Sequence, residues 1–464
     1  TPEEDGYLSL LKHGETGNAL SGANFTIYNT RENAEAGGST GAIQNIVTGS
    51  NGRATSGKLK AGRYYVRETQ APAGYNVNTT VYGVTVEPEK TAQVNGGTAI
   101  KNVMKKGQIA VRGKFVPSGS GTHGAQGVVF NIYSNSGLTT RVGSMTTDKY
   151  GDAISSQLPI GRYYVQEAQT QSVNLTPLTT VYTVDVTEGG IALINGGREI
   201  KNVAPVADVQ FKKGEILGYE DLSVYSNAQF QLRVNSVDAL FADSARYGSG
   251  VLSNNDGEPI IVSPDANGDF GFERLNLGSY TLEEVSSGIN GVPKNPQGIN
   301  FTVVARQVGT TTVGVIQWGT NNSKSGAISQ MQSHYSKNGF TAPSVSSSAD
   351  QGVFYNYLPE SFVVVNKFDA DTRSRMTGVE FTLDQVGGSG SNRYPLTQVK
   401  NTDNSGTVKF GPLKPYQEYR VYESKVPAGY EATNFNTTFT PRPGVTETFN
   451  FDVNNEPIKI NFSI

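Results

Sequence analysis

The sequence has no cysteine among its 464 residues. Disulfides, thiolate metal sites and cysteine nucleophiles are therefore excluded. Histidine is nearly as scarce, and its three copies, His13, His123 and His334, lie far apart among loop-like residues. We expect no histidine metal site and interpret each of the three as a solvated side chain. A secreted protein of this composition must be stabilised by its apolar cores or by a cross-link other than a disulfide.

Long apolar runs and excess positive charge are also missing. No segment is apolar over the length needed to cross a bilayer, and the N-terminus carries no signal-peptide pattern. The formal net charge of −3 provides no basic face for nucleic acid and no membrane-binding surface. We therefore expect no nucleic-acid partner and no membrane insertion in this chain. If the protein is secreted, its targeting segments lie outside this sequence.

The sequence is instead rich in glycine and aromatic residues, with 54 Gly, 23 Tyr and 20 Phe. Short stretches of alternating apolar and polar residues recur between Gly, Asn, Asp and Pro, and no long segment has a 3.6-residue period. This pattern is typical of an all-β protein built from small sandwiches.

One stretch, RYYVRETQAPAGY at residues 63–75, returns three times along the chain. The copies are RYYVQEAQT (162–170), SYTLEEVSSG (279–288) and EYRVYESKVPAGY (418–430). Each follows a turn glycine, with 16 residues from glycine to glutamate in the first three copies and 17 in the fourth. The repeat predicts four tandem Ig-like β-sandwich domains in an elongated array, and the short constant linkers favour stiff coupling. The predicted domains span residues 1–105, 106–205, 206–359 and 360–464.

The third predicted domain is longer than the others because of an insertion at about residues 290–350. The insertion is rich in Ser, Gly, Thr and Asn, and it contains the only tryptophan, Trp318. We interpret it as a decorating hairpin, with a functional loop as the alternative.

Each domain has three polar residues on faces that are predicted to point inward: a lysine on the first strand, a glutamate on a middle strand and an asparagine on the last. The lysines are Lys12, Lys114, Lys213 and Lys367, the glutamates are Glu68, Glu167, Glu284 and Glu423, and the asparagines are Asn102, Asn202, Asn356 and Asn455. One such set could be a buried ion pair with a hydrogen-bonded asparagine. Its recurrence in four domains favours a shared chemistry.

The chemistry follows from the three groups. Burial lowers the pKa of a lysine and raises that of a glutamate, so both can be neutral in an apolar site. The neutral amine is a nucleophile, and the carboxylic acid can donate a hydrogen bond to the asparagine carbonyl and shuttle protons. The product is a Lys–Asn amide bond, formed once, with ammonia as leaving group and no cofactor. We find no site for turnover of an external substrate.

The spacing in the second domain differs by one residue. Lys114 follows the preceding asparagine by 12 positions, whereas the corresponding lysines of domains 3 and 4 follow theirs by 11. A slip of one residue turns a strand side chain to the opposite face, which would direct Lys114 into solvent. We predict a bulge at Gly113, because glycine makes a bulge inexpensive and the bulge returns Lys114 to the core.

The segments TGNALSGANFTIY (16–28), ETQAPAGY (68–75), TGVEFTL (377–383) and ESKVPAGY (423–430) resemble collagen-adhesin B-type (CnaB-like) domains of Gram-positive surface proteins. The second and third repeats keep the lysine, glutamate and asparagine but lack the APxGY tail. The resemblance implies Ig-like sandwiches with intramolecular isopeptide bonds, used in sortase-assembled pili and adhesin stalks. It also implies that each lysine–asparagine pair is cross-linked and that each glutamate is the catalyst.

Two features of such proteins are not evident in the sequence. No sorting signal of the LPxTG kind follows IKINFSI, and no shaft-pilin motif like YPKN lies near the end of the first domain. The nearest string is VPKN (292–295), which makes Lys294 a candidate linkage lysine, although a plain loop is the favoured interpretation. Lys105 and Lys106 are rivals on position alone. The strings DANGD (265–269) and DADT (369–372) resemble calcium-loop fragments but are interpreted as β-turns.

Three functions are compatible with these observations. The favoured one is a pilus subunit, either shaft or accessory, located in a cell-wall-anchored extracellular appendage and linked to other pilin subunits by sortase. The alternative is an adhesin or adhesin stalk that binds host matrix or glycan through the insertion of the third domain. The third is a β-sandwich module of a secreted carbohydrate-active enzyme, for which the sequence offers no catalytic carboxylates.

Overall fold

A computed structural model describes residues 4–118, 121–217, 225–290 and 292–463 of the protein. Most of its regular structure is β-strand, arranged in successive pairs of packed sheets, and this confirms the predicted all-β, tandem Ig-like class. The chain divides into two compact units, formed by residues 1–117 with 122–203 and by residues 118–121 with 204–464. The first unit contains predicted domains 1 and 2, and the second contains domains 3 and 4.

Domain 1 packs a five-stranded sheet around β1 against the four-stranded sheet β3-β2-β6-β7. Its elements are β1 (Asp5–Gly14), β2 (Asn24–Tyr28), α1 (Arg31–Ala36), β3 (Ala42–Val47), β4 (Arg53–Thr55), β5 (Leu59–Lys60), β6 (Gly62–Gln70), β7 (Tyr82–Val86), β8 (Thr91–Gln93) and β9 (Ile100–Asn102). The first strand β1 pairs antiparallel with β4 and β5 and parallel with β8 and β9. Alternate apolar residues of both sheets, including Leu8, Phe25 and Val66, fill the core.

Domain 2 repeats this plan with its first strand split in two. Its elements are β10 (Lys106–Val111), β11 (Lys114–Ser118), β12 (Gly121–Gly124), β13 (Val129–Tyr133), β14 (Arg141–Thr146), β15 (Ala153–Ile154), β16 (Leu158–Pro159), β17 (Gly161–Gln169), β18 (Val181–Val186), β19 (Ile191–Leu193) and β20 (Ile200–Lys201). The sheet β14-β13-β17-β18 forms one layer, and β10 and β11 with their partners form the other. The break between β10 and β11 falls at Arg112 and Gly113, where the bulge is predicted.

Domain 3 packs β23-β21-β27 against β22-β24-β25-β26. Its elements are β21 (Val206–Leu217), β22 (Gln229–Val237), α2 (Ser244–Tyr247), β23 (Asp269–Asn276), β24 (Gly278–Ser286), β25 (Ile299–Val308), β26 (Thr311–Asn321), α3 (Asn322–Lys337) and β27 (Val353–Tyr357). Aromatic rings dominate its core, and the Phe211 ring lies 5.5 Å from that of Phe270 and 5.7 Å from that of Trp318. The tryptophan of the insertion therefore belongs to the packing of the sandwich.

Domain 4 packs β31-β28-β34 against β30-β29-β32-β33. Its elements are β28 (Ser361–Asp369), β29 (Glu380–Gln385), β30 (Thr397–Asn401), β31 (Thr407–Leu413), β32 (Tyr419–Glu423), β33 (Asn436–Phe439) and β34 (Thr448–Asn455). The first and last strands, β28 and β34, pair in parallel over eight consecutive residue pairs. This long parallel ladder joins the central strand β28 to the edge strand β34 and brings the two ends of the domain together.

The 16-residue helix α3 is the main departure from the sequence-based prediction, because the insertion was expected to be a hairpin only. The hairpin is present as β25 and β26, and the helix follows it directly. Its buried residues include Ser323, Ala327, Met331 and Tyr335, which are spaced four apart and lie on one face. Two of these four are small or polar, so the hydrophobic pattern that identifies an amphipathic helix is weak in the sequence.

Within the second unit, a buried carboxylate joins domains 3 and 4. Glu360, which is only 1% exposed, accepts hydrogen bonds from the hydroxyls of Tyr335 (2.9 Å), Tyr357 (3.1 Å) and Tyr394 (2.8 Å). The guanidinium of Arg393 completes the cluster with a 2.6 Å contact from Nη2. A buried charge is tolerated when it is paired and fully hydrogen-bonded, and here the donors come from α3, from β27 and from the fourth domain.

Candidate cross-linking sites

Each candidate lysine is fixed on its first strand by the turn glycine of the repeat. In every domain the lysine backbone N–H donates to the carbonyl of that glycine: Lys12 to Gly52 (2.7 Å), Lys114 to Gly151 (2.7 Å), Lys213 to Gly268 (2.7 Å) and Lys367 to Gly406 (2.8 Å). The turn glycine from which the spacing to the glutamate is counted is therefore also the residue that fixes the lysine backbone. As a result all four lysine side chains point inward and are 0–1% exposed.

The first and last strands pair in parallel in each domain, which places the asparagine strand beside the lysine strand. In domain 1 this pairing brings Lys12 Nζ into contact with Asn102 Oδ1, whereas the amide oxygens of Asn202, Asn356 and Asn455 have no hydrogen-bond partner among the described residues. The asparagine lies opposite the residue two positions after the lysine in domains 1 and 4, and three positions after it in domain 3. The pairs are Gly14 with Asn102, Asp369 with Asn455, and Ile216 with Asn356. The extra residue in domain 3 coincides with a register shift between Lys212 and Glu215.

In domain 1 the three predicted residues are in mutual contact. Lys12 Nζ donates a short hydrogen bond to Asn102 Oδ1 and lies 3.8 Å from Glu68 Oε1. Asn102 Nδ2 donates to the same carboxylate oxygen at 2.9 Å, and the backbone N–H of Asn78 donates to Oε2 at 2.7 Å. Burial lowers the pKa of Lys12 to about 8, although the charge of Glu68 opposes this shift. A lysine in this range is partly neutral near pH 8 and can act as a nucleophile.

In domain 2 the structure has the predicted inward orientation of Lys114. Gly113 adopts a φ of +88°, which glycine accommodates easily, and its backbone N–H donates to Asp152 Oδ1 at 2.9 Å. Lys114 Nζ lies 3.4 Å from Glu167 Oε1, and Asn202 Nδ2 donates to the same oxygen at 3.1 Å. Burial lowers the pKa of Lys114, while the charge and hydrogen bond of Glu167 oppose the shift.

In domain 3 the glutamate is the common contact. Glu284 accepts from Asn356 Nδ2 (3.0 Å to Oε2) and from the backbone N–H of Asn295 (2.8 Å to Oε1). Burial raises the pKa of Glu284, and these hydrogen bonds and the charge of Lys213 oppose the shift. Lys213 Nζ also lies 4.7 Å from the centroid of the Tyr225 ring, a cation–π distance. The structure thus brings Glu284 into contact with Asn356, and the charge of Lys213 is close enough to act on its pKa.

Domain 4 has the most open of the four sites. Asn455 Nδ2 donates to Glu423 Oε1 at 3.1 Å, but Glu423 is only half-buried, which corrects the expectation that it faces a closed core. Lys367 is completely buried, and its Nζ donates to the backbone carbonyl of Phe368 at 2.9 Å. Burial lowers the pKa of Lys367, opposed by the charge of Glu423, and burial raises the pKa of Glu423.

One part of the sites was not recognised in the sequence. In domains 1 to 3 a backbone N–H 10 or 11 residues after the glutamate donates to its carboxylate, from Asn78, Leu178 and Asn295 at 2.7–3.0 Å. These donors lie in the loop after the glutamate strand and use no side chain. Only the constant length of that loop could have indicated them. A backbone donor holds the carboxylate in one orientation, with its other oxygen toward the asparagine amide.

The other predicted sites occupy ordinary positions. Lys294 is exposed in a loop, whereas Lys105 and Lys106 form ion pairs with Glu188 (4.0 Å) and Glu15 (2.8 Å). The string DANGD is a turn in which the Asp265 carboxylate accepts two backbone N–H groups, and Asp369 of DADT does the same. In the described part of the chain no group of three His, Cys, Asp or Glu is arranged to hold a metal ion.

The predicted solvation of the histidines was wrong for His334. Its Nε2 lies 2.5 Å from the carbonyl oxygen of Glu360, and its ring packs 5.6 Å from that of Phe362. His13 is partly buried in β1, and the side chain of His123 lies outside the described residues. None of the helices among the described residues is long and apolar enough to cross a membrane.

The sequence profile of the prealbumin-like fold domain family SpaA matches residues 6–99, 118–197 and 362–456 of the chain. These matches cover more than half of the sequence, and the chain belongs to this family. They fall in domains 1, 2 and 4 and leave domain 3, with its insertion, unmatched. The comparison with curated protein sequences returned no match.

Solved structures with similar folds share little sequence with the chain. The TIE protein of Bacillus anthracis is 17% identical with a TM-score of 0.45, over 95% of this chain and 69% of that one. The minor pilin GBS52 of Streptococcus agalactiae is 17% identical with a TM-score of 0.21, over 44% of this chain and 98% of that one. The major pilin SpaD of Corynebacterium diphtheriae is 12% identical with a TM-score of 0.19, over 98% of each chain. Family membership therefore depends on the sequence profile.

Proposed function

We propose that the protein is a structural pilus subunit of a Gram-positive bacterium, stabilised by a self-formed Lys–Asn isopeptide bond in each of its four domains. The observation that carries the proposal is the recurrence of a buried lysine, a glutamate and an asparagine at the junction of the first and last strands of every domain. Four such polar clusters, three of them with a buried glutamate, would be costly if they served stability alone.

The reaction uses only groups of the chain. The neutral amine of the lysine attacks Cγ of the asparagine, and the glutamate takes a proton from Nζ and delivers it to Nδ2. The Cγ–Nδ2 bond breaks, ammonia leaves and the new Nζ–Cγ amide remains. In domain 1 the contacts favour this path, because Nζ adjoins the amide oxygen and the carboxylate adjoins both Nζ and Nδ2. The glutamate acts as general base and then as general acid.

The proposed role is mechanical. Each bond would join the first strand to the last strand of its domain, so that tension entering at one end passes through a covalent link and not through the sheet. The link in domain 1 spans 90 residues of sequence. Such a subunit would be secreted, anchored in the cell wall and joined to other pilin subunits by sortase.

The experiment that tests the chemistry is intact-protein mass spectrometry with peptide mapping. The folded chain is expected to be lighter than its sequence mass by one ammonia for each bond, with at least three bonds formed. Mapped peptides should pair Lys12 with Asn102 and Lys114 with Asn202, and likewise in the later domains. The full sequence mass on pure folded protein would defeat the proposal.

Linkage between subunits is tested separately with the three candidate lysines. Lys294 is the exposed one, whereas Lys105 and Lys106 are engaged in ion pairs. Expression of the chain with an LPxTG sorting signal appended and with a pilus sortase should give a ladder of covalent polymers, and Lys294→Arg should abolish it if this lysine is the acceptor. Lys105→Arg and Lys106→Arg are the matched control variants, and each should leave the ladder intact if Lys294 is the acceptor. No ladder from any of these forms would argue against a shaft subunit.

A second candidate function is an adhesin that binds host matrix or glycan through the insertion. One observation favours it: a groove of about 670 Å³ runs along α3, where the hydroxyls of Ser325, Ser329 and Ser333 lie among apolar residues that include Pro293, Pro296, Pro359 and Val445. Hydroxyl and amide groups in a concave site suit a neutral polyhydroxylated ligand. Ser329→Trp should abolish saturable binding to immobilised matrix or glycan, whereas Ser336→Trp on the exposed face of α3 should not.

A further inference from the structure

Two asparagines outside the predicted sets, Asn78 and Asn295, make the same hydrogen bonds in domains 1 and 3. The backbone N–H of each donates to the glutamate carboxylate of its site, at 2.7 Å and 2.8 Å. The side-chain Oδ1 of each accepts from the backbone N–H two residues later, at 3.1 Å in both domains, which closes an Asx turn. The side-chain Nδ2 of each donates to the carbonyl of the residue directly before the candidate cross-linking asparagine, Lys101 at 3.1 Å and Tyr355 at 2.9 Å. Both residues therefore tie the glutamate to the strand that carries the cross-linking asparagine.

Domains 2 and 4 lack this connection. In domain 2 the corresponding residue is Leu178, whose backbone N–H still donates to Glu167 but whose side chain has no donor. In domain 4 the Oε2 atom of Glu423 is buried without a hydrogen-bond partner among the described residues, so the backbone donor is missing as well. The contact to the carboxylate can thus come from any residue type, whereas the bond to the carbonyl before the cross-linking asparagine requires a side-chain donor at this position.

The amide of the cross-linking asparagine differs between the domains in the same way. Within the described part of the chain, Asn102 and Asn356 donate from Nδ2 to the glutamate alone. The Nδ2 atoms of Asn202 and Asn455 donate to the glutamate and also to a loop carbonyl, at 3.1 Å and 2.9 Å. A carbonyl accepts a hydrogen bond but has no proton to give, so it competes with the acid that must protonate Nδ2.

We propose that Asn78 and Asn295 are positioning residues for cross-linking in domains 1 and 3, which hold the asparagine strand so that the amide Nδ2 is directed at the carboxylate alone. The inference rests on the proposed isopeptide chemistry and adds a determinant of its rate. The step concerned is the one in which the glutamic acid delivers to Nδ2 the proton taken from the lysine, while the Cγ–Nδ2 bond breaks and ammonia leaves. An amide that already faces the acid needs no reorientation before this step.

Asn78 is the better position for a test. It is partly exposed, whereas Asn295 is 1% exposed and also donates to the carbonyl of Ser323 in α3. Asn78→Asp retains the backbone N–H and the Oδ acceptor of the Asx turn but has no side-chain donor at neutral pH. Asn78→Ala removes both the turn acceptor and the donor. Thr79→Asp, at the exposed neighbouring residue, adds the same charge and is the matched control.

The measurement is the rate of bond formation in the full chain. The chain is synthesised in a cell-free system, quenched in acidic denaturant at intervals and digested, and mass spectrometry gives the fraction of Lys12 linked to Asn102. Asn78→Asp and Asn78→Ala should both slow this bond roughly 10-fold, the effect of about one hydrogen bond on a barrier. Thr79→Asp should keep the wild-type rate, and the bonds of domains 2 to 4 should form at unchanged rates in every variant.

A second measurement separates positioning from loss of structure. In a Lys12→Met background, in which domain 1 cannot cross-link, Asn78→Asp should protect the backbone amides of domain 1 as well as the background alone does. A folded domain with a slowed bond supports positioning, because unfolding then cannot account for the slower reaction. Lost protection would assign the slowing to lost structure and would overturn the proposal.

The rates also distinguish failure of this inference from failure of the chemistry. If Asn78→Asp restores the rate that Asn78→Ala loses, the Asx turn is responsible and the positioning role of the side-chain donor is wrong. Wild-type rates in both variants would overturn it too, while the bonds formed in all four domains would leave the proposed function intact. Absence of every bond would overturn the chemistry and this inference together.

Discussion

Replacement of Glu68 by alanine is the most direct perturbation of the proposed chemistry. The Glu68 carboxylate accepts hydrogen bonds from Asn78 N–H (2.7 Å) and Asn102 Nδ2 (2.9 Å), and it lies 3.8 Å from Lys12 Nζ. No other carboxylate is recorded in contact with Lys12 or Asn102 among the described residues. Without this acceptor the lysine proton has no path to the leaving nitrogen, and we expect the bond in domain 1 not to form.

The magnitude follows from the length of chain that the bond would close. Lys12 and Asn102 are 90 residues apart, and the chain-entropy relation used for disulfides then gives about 4.6 kcal/mol of lost stabilisation. The buried Asn102 Nδ2, left without an acceptor, adds roughly 1–3 kcal/mol, whereas the partly exposed Asn78 N–H can reach water. For a domain of this size, 4.6 kcal/mol alone corresponds to a fall in melting temperature of about 20–35 °C.

The assay combines mass spectrometry with calorimetry on the full chain. Glu68→Ala should be heavier than expected for the cross-linked variant by one ammonia, and one thermal transition should shift downward while the bonds of the other domains persist. Glu87→Ala, which removes an exposed carboxylate of the same domain, is the matched control and should change neither quantity. Retention of the Lys12–Asn102 bond in Glu68→Ala would refute the catalytic role. Loss of the bond without a thermal shift would refute the loop-closure argument.

Three further predictions test pH dependence, backbone geometry and domain coupling. In Asn102→Ala, domain 1 has no cross-link, and its free energy of unfolding should rise on the order of 1–3 kcal/mol as the pH is raised from about 8 to 10.5. The rise is expected because Lys12 has a pKa of about 8 in the folded domain, whereas the unfolded chain binds this proton more tightly. Urea titrations at several pH values measure this change. Gly113→Ala should cost domain 2 about 1–2 kcal/mol and reduce its cross-link in peptide maps, because a Cβ is strained at a φ of +88°. Glu360→Leu should destabilise the second unit by about 2–4 kcal/mol in denaturant unfolding, since it leaves the partly buried guanidinium of Arg393 without its carboxylate.

Each of these variants has a control in the same chain. The pH dependence should be absent in the cross-linked protein, whose Lys12 no longer titrates, and a slope of the opposite sign would contradict the burial argument. Gly137→Ala, at an exposed glycine of domain 2 with ordinary backbone angles, should leave the cross-link intact. The double variant Glu360→Leu, Arg393→Leu should recover much of the lost stability, and an equal or larger loss would show that the pair is not the source of the effect.

The sequence alone was sufficient for the properties that depend on neighbours along the chain. Alternation of apolar and polar residues identified the strands, and the same alternation put Lys12, Glu68 and Asn102 on inward faces. A one-residue difference in spacing was enough to predict the bulge at Gly113, because strand side chains have a period of two. The repeated turn glycine indicated a constant register, and the structure shows that its carbonyl holds the lysine backbone.

Tertiary structure decided what depends on residues distant in sequence. The parallel pairing of the first and last strands, which brings Lys12 to Asn102 across 90 residues, is a long-range contact that no local pattern encodes. The backbone donor at Asn78 carries no side-chain signal, and the partial exposure of Glu423 depends on the loops packed around it. Helix α3 was not predicted because its buried residues include Ser323, Lys324 and Gly326 beside the apolar Met331 and Tyr335, which weakens the hydrophobic stripe in the sequence. Local periodicity gives the direction in which a side chain points, whereas the fold determines which groups it meets there.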